Sequence, residues 1–279
     1  MTDEEYNYLK EQILRVTGID LESYKSQQMR RRLDGFLSRI PGSGVGPYCE
    51  ILQKDPEAQQ RLKDFLTINV SEFFRDNEQF QVLKTKILPE LISKNPSSIK
   101  IWSAGCSIGA EPYSIAMILD EINPQCSYRI LATDLDQTIL AQAKAGGPYK
   151  EADLKNVNKL QLTKYFTHTD RKYTVVDRLK SKIDFRQQNL LKANYPKGID
   201  LIICRNVVIY FTEEAKREIN QGFYNSLKDN GILFVGGTET LLDAQELGFK
   251  RLVTSFYTRV PVARSTPPLP KERLLRSPA

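Results

Sequence analysis

Through residues 1 to about 95, apolar positions recur at three- and four-residue intervals and β-branched runs are scarce, which predicts an all-helical segment. Leu9, Ile13, Leu14 and Val16 mark the first helix. A second is expected over residues 23–40, with Met29, Leu33, Phe36, Leu37 and Ile40 on one face and Lys25, Arg32 and Arg39 as a basic stripe beside it. Pro41-Gly42-Ser43-Gly44 ends it. A further helix is expected over residues 79–93, and Asn95-Pro96-Ser97-Ser98 reads as a linker.

Beyond the linker the rhythm changes. Short β-type runs (Ile99-Lys100-Ile101-Trp102-Ser103, Arg129-Ile130-Leu131-Ala132-Thr133, Asp200-Leu201-Ile202-Ile203-Cys204, Gly231-Ile232-Leu233-Phe234-Val235) alternate with helical patterns over residues 111–122, 134–145 and 212–227. Strands separated by helices at this spacing predict βαβ units and a mostly parallel sheet, so the expected fold class is α/β, a Rossmann-like domain over residues 96–260. Within it, β-rich pieces at residues 165–167, 173–176 and 183–185 without long helices predict a small antiparallel insertion over residues 165–188. The segment 261–279, with Thr266-Pro267-Pro268-Leu269-Pro270, reads as a disordered tail.

Composition narrows the class. In 279 residues, 41% hydrophobic and 27% charged, no run approaches the ~18 apolar residues of a membrane span, so no membrane insertion is expected. The acidic start, Asp3-Glu4-Glu5, is unlike a secretory signal. Cys49, Cys106, Cys126 and Cys204 are widely separated, without metal-ligand spacing, which suits buried thiols in a reducing cytoplasm. The single histidine, His168, leaves no multi-histidine metal site. A formal charge of +6 says little by itself, but residues 23–47 hold Lys25, Arg30, Arg31, Arg32 and Arg39 against Asp34 alone, pointing to an acidic partner, protein or nucleic acid.

The strongest local signal is Ala104-Gly105-Cys106-Ser107-Ile108-Gly109-Ala110-Glu111 between a strand and a helix. Glycines there admit a ligand against the backbone, although the spacing is neither that of a dinucleotide fingerprint nor that of a P-loop. Asp134, at the end of the next strand, is placed to accept hydrogen bonds from both hydroxyls of a ribose. Together these favour a nucleoside cofactor, either NAD or S-adenosylmethionine.

Residues 101–114 (Ile-Trp-Ser-Ala-Gly-Cys-Ser-Ile-Gly-Ala-Glu-Pro-Tyr-Ser) resemble the first motif of the chemotaxis receptor methyltransferases, the CheR family. The same holds for Thr67-Ile68-Asn69-Val70-Ser71-Glu72-Phe73-Phe74-Arg75, Ala132-Thr133-Asp134, Asn189-Leu190-Leu191 and Cys204-Arg205-Asn206-Val207-Val208-Ile209-Tyr210-Phe211, in the family's order and over nearly the whole chain to about Val260. The resemblance implies an S-adenosylmethionine-dependent enzyme that esterifies glutamates on the cytoplasmic helical bundles of chemoreceptors, releasing S-adenosylhomocysteine, with residues 1–95 as a receptor-docking domain. It implies that Glu111 meets the methionyl ammonium and Asp134 the ribose, and that Gly105 belongs to the cofactor turn. Asn69, Ser71 and Arg75 would cover the cofactor, while Asn189, Leu190, Arg205, Asn206 and Val207 would flank it. Arg75 and Tyr210 would stand nearest the transferred methyl group. Lys25, Arg32 and Arg39 would meet the receptor.

Two departures from the family pattern stand out. The turn Thr167-His168-Thr169-Asp170-Arg171-Lys172 lacks the glycine that goes with tethering to a receptor's C-terminal peptide, so no tether is expected. Gly236-Gly237-Thr238-Glu239 replaces the more frequent Gly-His-Ser-Glu. A nucleic-acid methyltransferase, a non-catalytic module and a methyltransferase of another signalling protein are the alternatives. Against the first stand Cys204-Arg205-Asn206-Val207, where amine methylators carry Asn/Asp-Pro-Pro-aromatic, and the lack of aromatics interleaved with the basic stripe. A monomer is the default expectation.

Overall fold

The computed structural model describes residues 1–40, 44–67, 71–192, 194–241 and 243–261. Helix α1 (Asp3–Thr17) begins in a capping box between Thr2 and Glu5 and ends at Gly18, whose φ of +72° suits a residue without a side chain. Then come α2 (Ser26–Leu37), α3 (Val45–Lys54) and α4 (Pro56–Leu66), the last entered through an Asp55 cap and a first-turn proline. Leu9, Ile13, Met29, Leu33, Leu52 and Leu62 close this bundle's own core.

The second helix is shorter than its apolar face predicts. Ser23 closes a short 3-10 turn (Leu21–Ser23) and Tyr24 is extended, because residues 23–25 pair with a distant segment: Thr212 N–H donates to the Ser23 carbonyl (2.9 Å) and Lys25 N–H to the Tyr210 carbonyl (3.0 Å), around a bridge between Tyr24 and Phe211. Long-range pairing overrides local propensity here. The basic stripe breaks up accordingly. Lys25 precedes the helix and Arg39 follows it, both exposed, while Arg32 is half-buried.

The expected helix at residues 79–93 is α5 (Asn77–Val82), a π-helical turn (Leu83–Ile87) and α6 (Leu88–Lys94). Phe73, Phe80, Leu83, Ile87, Leu88 and Leu91 pack with the sheet rather than with the α1–α4 bundle. Burial therefore groups residues 73–91 with the β-containing part of the chain, although their helical pattern had placed them in the N-terminal segment.

The remaining elements are β1 (Ile99–Ala104), α7 (Ala110–Ile122), β2 (Tyr128–Asp134), α8 (Gln137–Ala145), α9 (Lys159–Tyr165), β3 (Phe166–Thr169), β4 (Lys172–Val175), α10 (Asp177–Lys180), β5 (Ile183–Gln187), β6 (Ile199–Cys204), α11 (Glu213–Ser226), β7 (Leu227–Val235), β8 (Phe249–Val253) and β9 (Phe256–Arg259). The main sheet runs β5-β2-β1-β6-β7-β9-β8, parallel as far as β7 and antiparallel through β9 and β8. The small antiparallel insertion is the hairpin β3–β4 alone; the third β-rich piece, β5, pairs in parallel with β2 at the sheet edge. The last two strands carried too little alternation to be read in advance.

β1 and β6 are buried along nearly their whole length, as strands covered on both faces must be. Order reverses between them: the chain moves from β1 to β2 on one side and returns to β6 on the other. Beyond their carboxyl ends a parallel sheet opens a crevice, and that is where the predicted site residues gather. The expected tail from residue 262 on, and the helix stop at residues 41–43, lie outside the described residues. Among the described residues, no helix is long and apolar enough to cross a membrane.

Candidate functional site

A cleft open to solvent on one side lies at that switch point. Of the predicted residues, Ser71, Arg75, Gly105, Glu111, Asp134, Asn189, Leu190, Arg205, Asn206, Val207 and Tyr210 all line it. Asn69 lies outside the described residues. Lys25 and Arg39 are exposed and do not line it, although the Lys25 backbone is bonded to Tyr210, which does.

The glycine turn forms one wall. Gly105 has φ +83°, and a Cβ there would stand 2.4 Å from Cγ2 of Val207, so any side chain would collide with the turn after β6. Gly109, at φ +85°, starts α7, whose first turn carries Glu111 into the cleft. The amides of the turn fix the neighbouring acid: Ser107 N–H donates to Asp134 Oδ2 (2.8 Å), and Asp136 N–H donates to Oδ1 (3.0 Å). A carboxylate has about four acceptor positions, so Asp134 keeps capacity for a ligand diol. Burial pushes its pKa up, against the two amides that favour the charged form.

Glu111 is half-buried in the first turn of α7. Burial raises its pKa, while the Arg205 guanidinium, 3.7 Å away, and the Ser103 hydroxyl, which donates at 2.8 Å, hold the charged form. Arg205 itself is nearly inaccessible, with its guanidinium against the rings of Phe80 and Phe234 (5.3 and 4.9 Å), which meet each other edge-on. One of its terminal nitrogens donates to Asp76 Oδ2 (2.6 Å) and to the Arg75 carbonyl (3.0 Å). Arg205 Nε and the Ser107 hydroxyl are buried without a protein partner. Unpartnered donors in a cleft wall, a backbone cradle that a Cβ would fill, one acid suited to an ammonium and another suited to a diol fit S-adenosylmethionine. The cysteines take no part: burial drives the Cys106 and Cys204 thiols well above their ordinary pKa, so they stay protonated.

The opposite wall comes from elements far apart in sequence. Tyr24, Leu66 and Thr67 reach the cleft from the helical bundle. The Tyr24 ring lies 4.8 Å from Phe211, and burial pushes its hydroxyl pKa up to about 12. Arg32 donates to the carbonyls of Phe65 and Leu66 and lies over the Phe65 ring at 4.9 Å. It therefore braces the end of α4 beside the cleft, rather than standing free in a docking stripe.

Sequence reasoning passed over Tyr24, Glu72, Ser107 and Gln188, all of which line the cleft. Ser107 sits inside the glycine motif and was within reach. Glu72 is held by Lys155 (2.7 Å) and Asn156 (3.2 Å). Nothing local to Tyr24 signals its place, which depends on pairing with residue 211. At the departure Gly237, a Cβ would lie 2.7 Å from Gln79 Nε2, so the Gln79 side chain occupies the space a larger residue would need. His168 is exposed and stacks on Tyr173 at 4.4 Å, far from this chemistry.

Comparison with known proteins converges on one family. Residues 69–256 match the SAM-binding domain of the CheR methyltransferases, and residues 4–67 match their all-alpha domain. The chain is 35% identical to a chemotaxis protein methyltransferase of Listeria innocua over 257 residues, covering 92% of this chain and 98% of that protein. It is 38% identical to a probable chemotaxis protein methyltransferase of Rhizobium etli over 235 residues, 80% of this chain and 87% of that protein. A chemotaxis protein methyltransferase of Borreliella burgdorferi is 34% identical over 262 residues, 89% of this chain and 92% of the relative.

Proposed function

This chain belongs to the CheR family of S-adenosylmethionine-dependent chemotaxis methyltransferases, and from that premise we propose that it methylates glutamate side chains on the cytoplasmic helical bundles of chemoreceptors, forming the methyl esters of sensory adaptation. The observation that carries this reading is the state of the cleft's acids and bases. No histidine lines it among the described residues, Glu72 is paired with Lys155, Glu111 is held by Ser103 and Arg205, and Asp134 holds two amides. A cleft without a free base suits a nucleophile that arrives already ionised. A glutamate, with an ordinary pKa of about 4.3, does so at neutral pH.

S-adenosylmethionine supplies a methyl group on a sulfonium, which a carboxylate oxygen displaces without prior proton transfer. What remains for the protein is alignment of oxygen, carbon and sulfur and exclusion of water. In this reading Glu111 binds the ammonium and Asp134 the ribose, which sets the sulfur's position. Arg75, at the cleft lining, orients the incoming carboxylate, and Tyr210, on the short helical turn after β6, shapes the methyl pocket or donates a hydrogen bond. Exposed Lys25 and Arg39 favour encounter with an acidic bundle. Tethering to a receptor C-terminus is not part of the proposal, since the β3–β4 turn has Asp170 and Arg171, not glycine, at positive φ.

The test is transfer of labelled methyl from S-adenosylmethionine to a receptor cytoplasmic fragment. Base-labile label that disappears when the target glutamates become alanine is the expected result. Label appearing in RNA or DNA, or in a receptor at base-stable positions, overturns the proposal.

A further inference from the structure

Glu239 lies outside the cleft lining, yet its buried carboxylate is among the most heavily engaged groups near it. Oε2 accepts from Asn206 N–H (2.6 Å) and Gly236 N–H (2.8 Å), and Oε1 accepts from Val207 N–H (3.1 Å). These amides belong to the turn after β6 and to the end of β7, which a single side chain therefore ties together. Around this carboxylate the sequence is constrained. A Cβ on Gly236 would lie 2.4 Å from Oε2 and 3.2 Å from the Asn206 nitrogen. Asn206 sits at φ +58°, a left-handed conformation that asparagine adopts more readily than most residues and that the bonds from the Asn206 and Val207 amides to Glu239 fix here. Val207 in turn sets its Cγ2 against Gly105, so the position of one amide propagates to the glycine turn across the cleft.

We infer that Glu239 is a positioning residue for the cofactor: its carboxylate holds the Arg205-Asn206-Val207 turn in the shape that lines the cleft, without itself touching the ligand. The inference rests on the cleft being the S-adenosylmethionine site, not on the identity of the methyl acceptor. It also explains why Gly236-Gly237-Thr238-Glu239 tolerates glycine at its second position. The essential members are the glycine that makes room for the carboxylate and the carboxylate itself, whereas Gln79 fills the space at residue 237.

The experiment is calorimetric titration of the full chain with S-adenosylhomocysteine, together with steady-state kinetics and thermal unfolding, for Glu239→Gln and Gly236→Ala. A glutamine presents one carbonyl oxygen and a repelling NH₂ to the N–H donors that Glu239 satisfies, so its Kd rises about tenfold, the equivalent of about one good hydrogen bond. Gly236→Ala raises Kd in the same direction by crowding Oε2. In both variants KM for the methyl donor rises with Kd, while KM for the receptor fragment stays at the parental value. A folded Glu239→Gln variant with parental Kd, even one with a lower unfolding midpoint, overturns the inference by leaving the residue a purely structural role. A change confined to the receptor KM overturns it as well. If the parental chain binds no S-adenosylhomocysteine, the cofactor reading and this inference fall together. If binding follows the expected order but no receptor glutamate is methylated, the substrate proposal falls and Glu239 keeps its role.

Discussion

The carbonyl of Arg75 accepts a 3.0 Å hydrogen bond from the guanidinium of Arg205, so the residue proposed to orient the methyl acceptor is set by one proposed to flank the methyl donor. The same nitrogen of Arg205 also donates to Asp76 at 2.6 Å. Lysine cannot reproduce the planar fork or its contact with the Phe80 and Phe234 rings. Arg205→Lys is expected to lower kcat about tenfold and stability by about 1 to 3 kcal/mol, the range for a disrupted buried charged network. Kinetics beside chemical unfolding check this, and parental kcat in a folded variant contradicts it.

Arg75→Ala separates orientation from folding. Its side chain lies at the half-exposed cleft lining and outside the hydrophobic core, so turnover falls about 100-fold or more, as for loss of an aligning group, while the unfolding midpoint barely moves. Single-turnover assays with saturating cofactor and receptor fragment measure the effect. Unchanged turnover removes Arg75 from the proposed role.

Asp134→Ala acts on cofactor binding. Loss of charge-assisted bonds to a ribose diol raises Kd for S-adenosylhomocysteine about 10- to 100-fold. Asp134→Asn, which retains an acceptor for the Ser107 or Asp136 amide, falls between the parent and alanine. Equal affinity in the parent and both variants rules out the ribose contact.

The basic residues once grouped in a single stripe divide by role. Lys25→Glu and Arg39→Glu, both exposed, lower receptor affinity in a salt-dependent way and leave cofactor affinity intact. Arg32→Glu lowers both, because its guanidinium braces the Phe65 and Leu66 carbonyls beside the cleft. Binding assays with each ligand distinguish the two patterns, and identical behaviour of the three variants contradicts the division.

The raised pKa of Glu111 makes both stability and binding depend on pH, with opposite signs. A carboxyl group whose folded pKa lies above its unfolded value contributes stability that is fully present below the ordinary carboxylate pKa, about 4, and lost as pH rises through the folded value. Relative to the parent, ligand-free Glu111→Gln therefore gains stability as pH is raised from 4 towards neutrality. Ammonium binding needs the ionised form, so parental affinity for S-adenosylhomocysteine weakens on acidification through that raised pKa, and the glutamine variant is weak throughout. Thermal unfolding and titration across pH check both, and a stability difference independent of pH contradicts the assignment.

Much of this architecture is legible in the chain because its local signals agree with its global fold. Buried parallel strands such as β1 and β6 have continuous apolar runs, and the glycine turn and Asp134 occupy the strand ends where a parallel sheet opens. What stays hidden depends on distant pairing. Residues 23–25 look helical until the segment 210–212 is in place, and residues 73–91 look like part of the bundle until the sheet offers them a larger apolar surface. Arg32 has the heptad spacing of a surface stripe; its burial comes from α4 folding over it. Glu239 shows in the sequence only as a familiar acid beside a missing histidine, and its connection to Asn206 appears only once β6 and β7 lie side by side.

The link at Ser23–Lys25 has a consequence for modularity. Since the backbone on both sides of Phe211 is hydrogen-bonded to it, and Tyr24 supplies part of the cleft wall, the segment joining the first helices helps to build the cleft itself. A fragment beginning at the linker would lose that support even if its sheet remained whole. Exchanging the first helices between homologues to redirect specificity would therefore alter turnover along with partner choice, unless the three-residue seam travels with its counterpart after β6.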